Sequence, residues 1–189
     1  MSGCGVLGDV KVKTSKGNVF SNTQCDKTES RWKESLARFQ PEAIILMYGG
    51  PVGAQRLIDG NWSRPCNIDF DNRYTQELVN IVDLFSHSDA LIFFPTIAYS
   101  TIGDSNTVAT HKEMDCINET FRNVAAANER VGMIELASFV CPSNYCRKEL
   151  NGVQLRADGL HYSDEGGRLI LQWLNNQVRG HPLISKGSR

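Results

Sequence analysis

A chain of 189 residues and 21.1 kDa, 41% hydrophobic and 22% charged, has room for one domain with a substantial core and the composition of an ordinary globular protein. Its formal net charge of -1 and pI near 6.4 leave no basic excess for nucleic acid and no basic amphipathic run for a membrane surface. No apolar stretch approaches the roughly 18 residues of a membrane span, and Met1-Ser2-Gly3-Cys4-Gly5 carries neither the charged nor the apolar region of a signal peptide.

Along the chain, short apolar runs alternate with helix-like segments. The first helix is expected from about Thr28 to Phe39, with Trp32, Leu36 and Phe39 on one face at 3.6-residue spacing. Pro41 stops it. Ala43-Ile44-Ile45-Leu46-Met47-Tyr48 then reads as a strand covered on both faces, because it lacks polar alternation, and it ends in Gly49-Gly50-Pro51. A loop rich in turn formers is expected from Pro51 to Asp69. The second helix, about Phe70 to Ser86, carries Tyr74, Leu78, Ile81, Val82 and Phe85 on one stripe. Ala90 to Phe94 is the next strand, closed by Pro95. A third helix runs from Asn106 or Thr107 to about Arg130, and Val131 to Leu136 forms another strand. The last helix, about Asp164 to Val178, follows the N-cap residue Ser163, and Asp164 and Glu165 suit the positive end of its dipole. Residues 1–179 are expected to form one domain and 180–189 a loose tail.

Three strands separated by helices predict a doubly wound, flavodoxin-like parallel sheet with helices on both faces, whose ligands bind beyond the carboxyl ends of the strands. Gly49-Gly50-Pro51, Thr96 to Ser105 and Asp158 to His161 all fall there. No glycine-rich strand-to-helix phosphate loop occurs, which argues against nucleotide binding.

The six cysteines, Cys4, Cys25, Cys66, Cys116, Cys141 and Cys146, allow about fifteen pairings. The loop Cys141-Pro-Ser-Asn-Tyr-Cys146 is short enough for a local disulfide; buried free thiols are the alternative. No Cys-x-x-Cys occurs and the four histidines are scattered, so no metal site is expected. Solvated side chains are the default for His87, His111 and His181. The sequons Asn61-Trp62-Ser63 and Asn118-Glu119-Thr120 are assigned no function. Arg56, Asp59 and Trp62, in the loop after the glycines, are candidates for binding substrate at the cleft mouth.

The most informative stretch runs Leu155-Arg156-Ala157-Asp158-Gly159-Leu160-His161-Tyr162-Ser163. Gly159 permits a tight turn that returns the Asp158 carboxylate to one imidazole nitrogen of His161. A carboxylate so placed fixes the tautomer and leaves the other nitrogen as a general base toward a hydroxyl. A surface loop with an incidental Asp and His is the plainer reading of the same residues.

This segment resembles the last motif block of SGNH (GDSL-like) hydrolases, Asp-Gly-x-His followed by a Gly-containing helix ending in Trp-Leu. More narrowly it is similar to SGNH domains fused behind membrane acyltransferase-3 proteins, which O-acylate bacterial surface polysaccharides. Gly3-Cys4-Gly5, Cys25, the Trp32 helix, Pro41 to Leu46, Asp59-Gly60-Asn61-Trp62, and Cys141 with Cys146 support the likeness, which spans roughly Gly3 to Val178. It implies a three-layer α/β/α SGNH-hydrolase-like fold, Asp158 and His161 as triad acid and base, and Gly5, Gly49 and Gly50 as oxyanion-hole donors. It also implies an acyl-ester, in particular O-acetyl, substrate on carbohydrate, no cofactor, a membrane acyltransferase portion on the same chain, and an extracytoplasmic location. Cys4 and Cys25 form a second candidate disulfide.

Two departures matter. Tyr48-Gly49-Gly50-Pro51-Val52 lacks the Asn side chain that usually joins the oxyanion hole, where one donor is worth about two to three orders of magnitude in rate. The Gly-Asp-Ser block carrying the nucleophile is expected upstream of Gly3 and is not found. In Gly8-Asp9-Val10 the third residue has no nucleophilic atom. Gly103-Asp104-Ser105 follows no buried strand directly and comes too late in the chain, so Ser105 is read as the N-cap of the third helix. A first strand missing from the centre of the sheet would cost more than a domain's net stability of about 5–15 kcal/mol, which leads to the expectation of a truncated reading frame. The rivals are a non-catalytic SGNH scaffold or binding module, and a cytoplasmic flavodoxin-like domain with all cysteines free.

Overall fold

The computed structural model describes residues 6–7, 10–13, 17–21, 25, 27–48, 54–100 and 110–187. In chain order they form β1 (Val12–Lys13), β2 (Val19–Phe20), α1 (Thr28–Phe39), β3 (Ala43–Ile45), β4 (Gln55–Ile58), β5 (Asn61–Ser63), α2 (Ile68–Ser86) and β6 (Leu91–Pro95). There follow α3 (His111–Ala126), β7 (Val131–Ile134), α4 (Leu136–Val140), a 3-10 turn at Pro142–Asn144, β8 (Glu149–Leu150), β9 (Val153–Gln154), α5 (Asp164–Arg179) and α6 (Pro182–Gly187).

The unalternating apolar runs become a parallel sheet of order β3-β6-β7, with Ile44 opposite Ile92 and Phe93 opposite Gly132. Successive side chains point to opposite faces. Ile44, Ile92 and Phe94 join one core with α1, α2 and α3, while Ala43, Ile45 and Phe93 join another with α4 and α5. Helices therefore cover both faces. The Leu91 N–H donates to Glu42 O and the Leu46 N–H to Phe93 O, each at 2.9 Å. The parallel ladder thus turns the backbone groups of Ile44 toward β6 and those of Ala43 and Ile45 toward the other edge, where no described strand pairs.

The stretch expected to be loop between Pro51 and Asp69 is instead a hairpin, β4–β5, in a second sheet of antiparallel order β2-β1-β4-β5. Asp59 (φ 47°) and Gly60 (φ 85°) make the two-residue turn, the left-handed pair that suits the twist of a hairpin. Asn151 (φ 53°) and Gly152 (φ 78°) do the same between β8 and β9.

Three further expectations are corrected. The third helix begins at His111, capped by Thr110: the hydroxyl accepts from the Glu113 N–H and the Glu113 carboxylate accepts from the Thr110 N–H, so a capping box replaces the expected Ser105 cap. Ser105 lies outside the described residues. Phe39, the last residue of α1, is 67% exposed and does not join Trp32 and Leu36 in packing on the core. The described part of the expected tail packs on the domain: α6 sets Ile184 against the core, and the His181 ring meets Phe93 edge-on at 5.1 Å. Gly132 makes the room, since a Cβ there would stand 2.8 Å from Phe93 and 2.9 Å from His181.

Cys66–Cys116 ties the segment before α2 to α3, and Cys141–Cys146 closes the loop after α4. Cys25 is also disulfide-bonded, to a partner not among the described residues; Cys4 lies outside them. The free-thiol alternative therefore fails for Cys25, Cys66, Cys116, Cys141 and Cys146. No helix among the described residues is long and apolar enough to cross a membrane.

Candidate active site

The carboxyl end of the sheet is built first by β6. Past Pro95, the buried Thr96 hydroxyl accepts from the Ala137 N–H at 2.8 Å. The buried Asn118 amide accepts from the Ile97 N–H at 2.7 Å and donates to Ile97 O at 3.0 Å. These bonds aim Ala98-Tyr99-Ser100 across the sheet toward the segment that precedes α5. That segment has its own closure: the Ser163 N–H donates to Leu155 O at 2.8 Å, and the Ser163 hydroxyl caps α5 by accepting from the Gly166 N–H at 2.9 Å. Gly166 has to be glycine, because a Cβ would sit 2.6 Å from Leu155 O.

Between those anchors lies the turn of Asp158 to His161. Gly159 takes φ 75°, and Asp158 Oδ1 accepts from the N–H groups of Leu160 (2.9 Å) and His161 (2.7 Å). Asp158 Oδ2 lies 2.7 Å from His161 Nδ1. The hydrogen bond from His161, followed by those from the Leu160 and His161 backbones, holds the Asp158 carboxyl well below the usual carboxylate range. An ionised carboxylate only accepts, so Nδ1 carries the proton and Nε2 presents its lone pair outward. The side chains of His161 and Asp158 are 78% and 55% exposed, and Nε2 makes no described hydrogen bond. This is an oriented imidazole open to an incoming hydroxyl.

The other expected residues are distributed differently. Gly5, Gly49 and Gly50, with Gly8-Asp9 and Gly103-Asp104-Ser105, lie outside the described residues. Arg56, Asp59 and Trp62 belong to the β4–β5 hairpin, and neither Asp158 nor His161 makes a hydrogen bond or ion pair with them. Asp59 is a turn residue, the Lys13 ammonium sits 5.5 Å from the Trp62 ring centre, and burial lowers the pKa of Arg56. His111 is exposed, as expected, and its ring also stacks on Tyr99 at 4.3 Å. Among the described residues no three His, Cys, Asp or Glu side chains converge as metal ligands would. A groove of about 1040 Å³ runs between α1 and α2 past Trp32, Leu36, Glu77 and His87, and no residue of the Asp158 turn lines it.

Sequence reasoning gave no role to the residues that brace this turn. Arg156 donates to Tyr99 O and to the Tyr162 hydroxyl, and the Ser100 hydroxyl donates to Gly159 O at 3.3 Å. An arginine so near the motif was the one visible signal.

No family model and no curated protein matches the chain. Among solved structures, the crystal structure of TesA is similar at 15% identity and a TM-score of 0.53, over 86% of this chain and 75% of that one. The likeness is one of fold: a three-layer α/β/α arrangement.

Proposed function

We propose that this chain is an SGNH-type acyl-ester hydrolase or acyltransferase domain acting on O-acyl, in particular O-acetyl, groups of surface carbohydrate. The observation that carries the reading is the Asp158–His161 pair at the carboxyl end of a parallel sheet, with Nε2 facing outward. In the proposed reaction a serine hydroxyl gives its proton to His161 Nε2 as its oxygen attacks the ester carbonyl. Asp158 holds the imidazolium that forms, and the backbone N–H groups of Gly5, Gly49 and Gly50 bind the oxyanion. His161 then returns the proton to the leaving alkoxide, and water or a sugar hydroxyl takes the acyl group from serine. No cofactor enters these steps. The disulfides suit an extracytoplasmic location, beside a membrane acyltransferase portion.

None of the described hydroxyls bonds Nε2, so the proposed nucleophile comes from outside the described residues. No described strand pairs with the other edge of β3, which turns the Ala43 and Ile45 backbone groups toward one more parallel strand. Close by, the Tyr48 hydroxyl is buried without a partner among the described residues, and its burial raises its pKa. A strand bearing the serine would pair at this edge.

The test is labelling with a fluorophosphonate probe, with His161→Ala as control. Labelling that is lost in His161→Ala would identify an activated serine, and its mapping to Ser105 would make that residue, rather than one on a strand beside β3, the nucleophile. A chain that stays unlabelled would leave a non-catalytic scaffold.

A further inference from the structure

Arg156 is 8% exposed, and no carboxylate forms an ion pair with it among the described residues. Burying a cation without a counter-charge is costly, so what it binds must compensate. Its guanidinium donates to Tyr99 O at 2.6 Å and to the Tyr162 hydroxyl at 2.8 Å, and it lies 4.4 Å from the centre of the Tyr162 ring; Nε has no partner among the described residues. Those acceptors have a particular placement. Arg156 precedes and Tyr162 follows the segment from Ala157 to His161, so their contact closes the neck of the turn that carries the pair. Tyr99 belongs to the loop after β6, so the same guanidinium moors that neck to the end of the sheet. The Ser100 hydroxyl, on Gly159 O, tethers the tip.

We infer that Arg156 is a positioning residue for the Asp158–His161 pair, its planar fork clasping the neck of the turn to the Tyr99 carbonyl. The inference rests on the reading of that pair as acid and base. Arg156 is not among the groups that depress the Asp158 titration, so it acts by geometry rather than by its field on the carboxylate. Lysine, a single point charge on a flexible stem, cannot bridge both acceptors as the fork does.

The experiment is NMR on the intact chain. The Asp158 carboxyl carbon and the His161 ring nitrogens are followed against pH in wild type, Arg156→Lys and Tyr162→Phe. Wild type should titrate Asp158 well below the ordinary value of about 3.9 and show His161 protonated at Nδ1. In Arg156→Lys the Asp158 titration should climb toward that ordinary value and the single tautomer should be lost. Tyr162→Phe, which removes only the hydroxyl acceptor, should move both readouts the same way by less. A folded Arg156→Lys protein with a lower melting temperature but both readouts unchanged overturns the inference, because a merely structural arginine predicts that result. If Arg156→Lys does not fold, Tyr162→Phe decides on the same two readouts. An ordinary Asp158 titration in wild type would instead remove the acid–base reading, and the inference with it.

Discussion

The two sides of the parallel sheet are packed to different standards. Around β6, Phe93, Leu155, Ile170 and Leu174 are at most 1% exposed. At the β3 edge Ala43, Ile44 and Ile45 are only half-buried, α1 buries none of its residues, and a groove of about 1040 Å³ separates α1 from α2. The cause is pairing order. β6 has a partner on each side and helices above and below, whereas β3 has β6 alone among the described strands. Side-chain burial in a sheet follows from having neighbours on both edges, so the core thins where the described pairing stops. The difference teaches that the Asp158 turn is seated on the tighter side, and that the looser side is where the pairing among the described strands stops.

The largest test of that contrast is truncation. Phe93→Ala should cost about 3–5 kcal/mol, as for a fully buried aromatic. Leu36→Ala on α1 should cost about 1 kcal/mol or less, since little buried contact is lost. Denaturant unfolding measures both, and equal losses would abolish the contrast.

The disulfides give the next largest effect. Cys66–Cys116 spans 50 residues and Cys141–Cys146 only 5. By loop-closure entropy their removal as paired Ser substitutions should cost about 4 and about 2 kcal/mol respectively. The Cys141 and Cys146 sulfurs lie 3.7 and 3.4 Å from Tyr99 O, the carbonyl that Arg156 also holds. A larger loss on removing Cys141–Cys146 would mean that this contact outweighs loop length.

The smallest effect concerns pH. The folded Asp158 carboxyl titrates below its unfolded value, so its hold on the turn is complete above about pH 4 and is lost only as pH falls through the lower folded value. Protection of the Leu160 and His161 amides, both bonded to Asp158 Oδ1, should therefore stay constant down to about pH 4 and fall below it. A fall already complete by about pH 5 would locate the change in a group other than the carboxylate.

What was legible in the sequence was local. The bounds of α1 and the stripe of α2 follow from 3.6-residue spacing, and the Ser163 cap from a side chain that satisfies its own helix terminus. The Asp158–His161 contact spans three residues, and Gly159 is the residue its backbone requires. The two hairpins were signalled by Asp59-Gly60 and Asn151-Gly152, yet strands of two to four residues carry too little alternation to be seen beside them. The helix start at Thr110 was obscured by several competing cap residues upstream.

By itself, then, the amino-acid sequence determined α1, α2, α5 and the turn from Asp158 to His161, because each depends on residues within a few positions of one another. Only the tertiary structure decided that Cys66 meets Cys116, that His181 packs on Phe93, and that Arg156 reaches the Tyr99 carbonyl 57 residues away. Every residue carries a backbone carbonyl, so no side-chain pattern marks which one an arginine will find; the path of the chain over the sheet makes that choice.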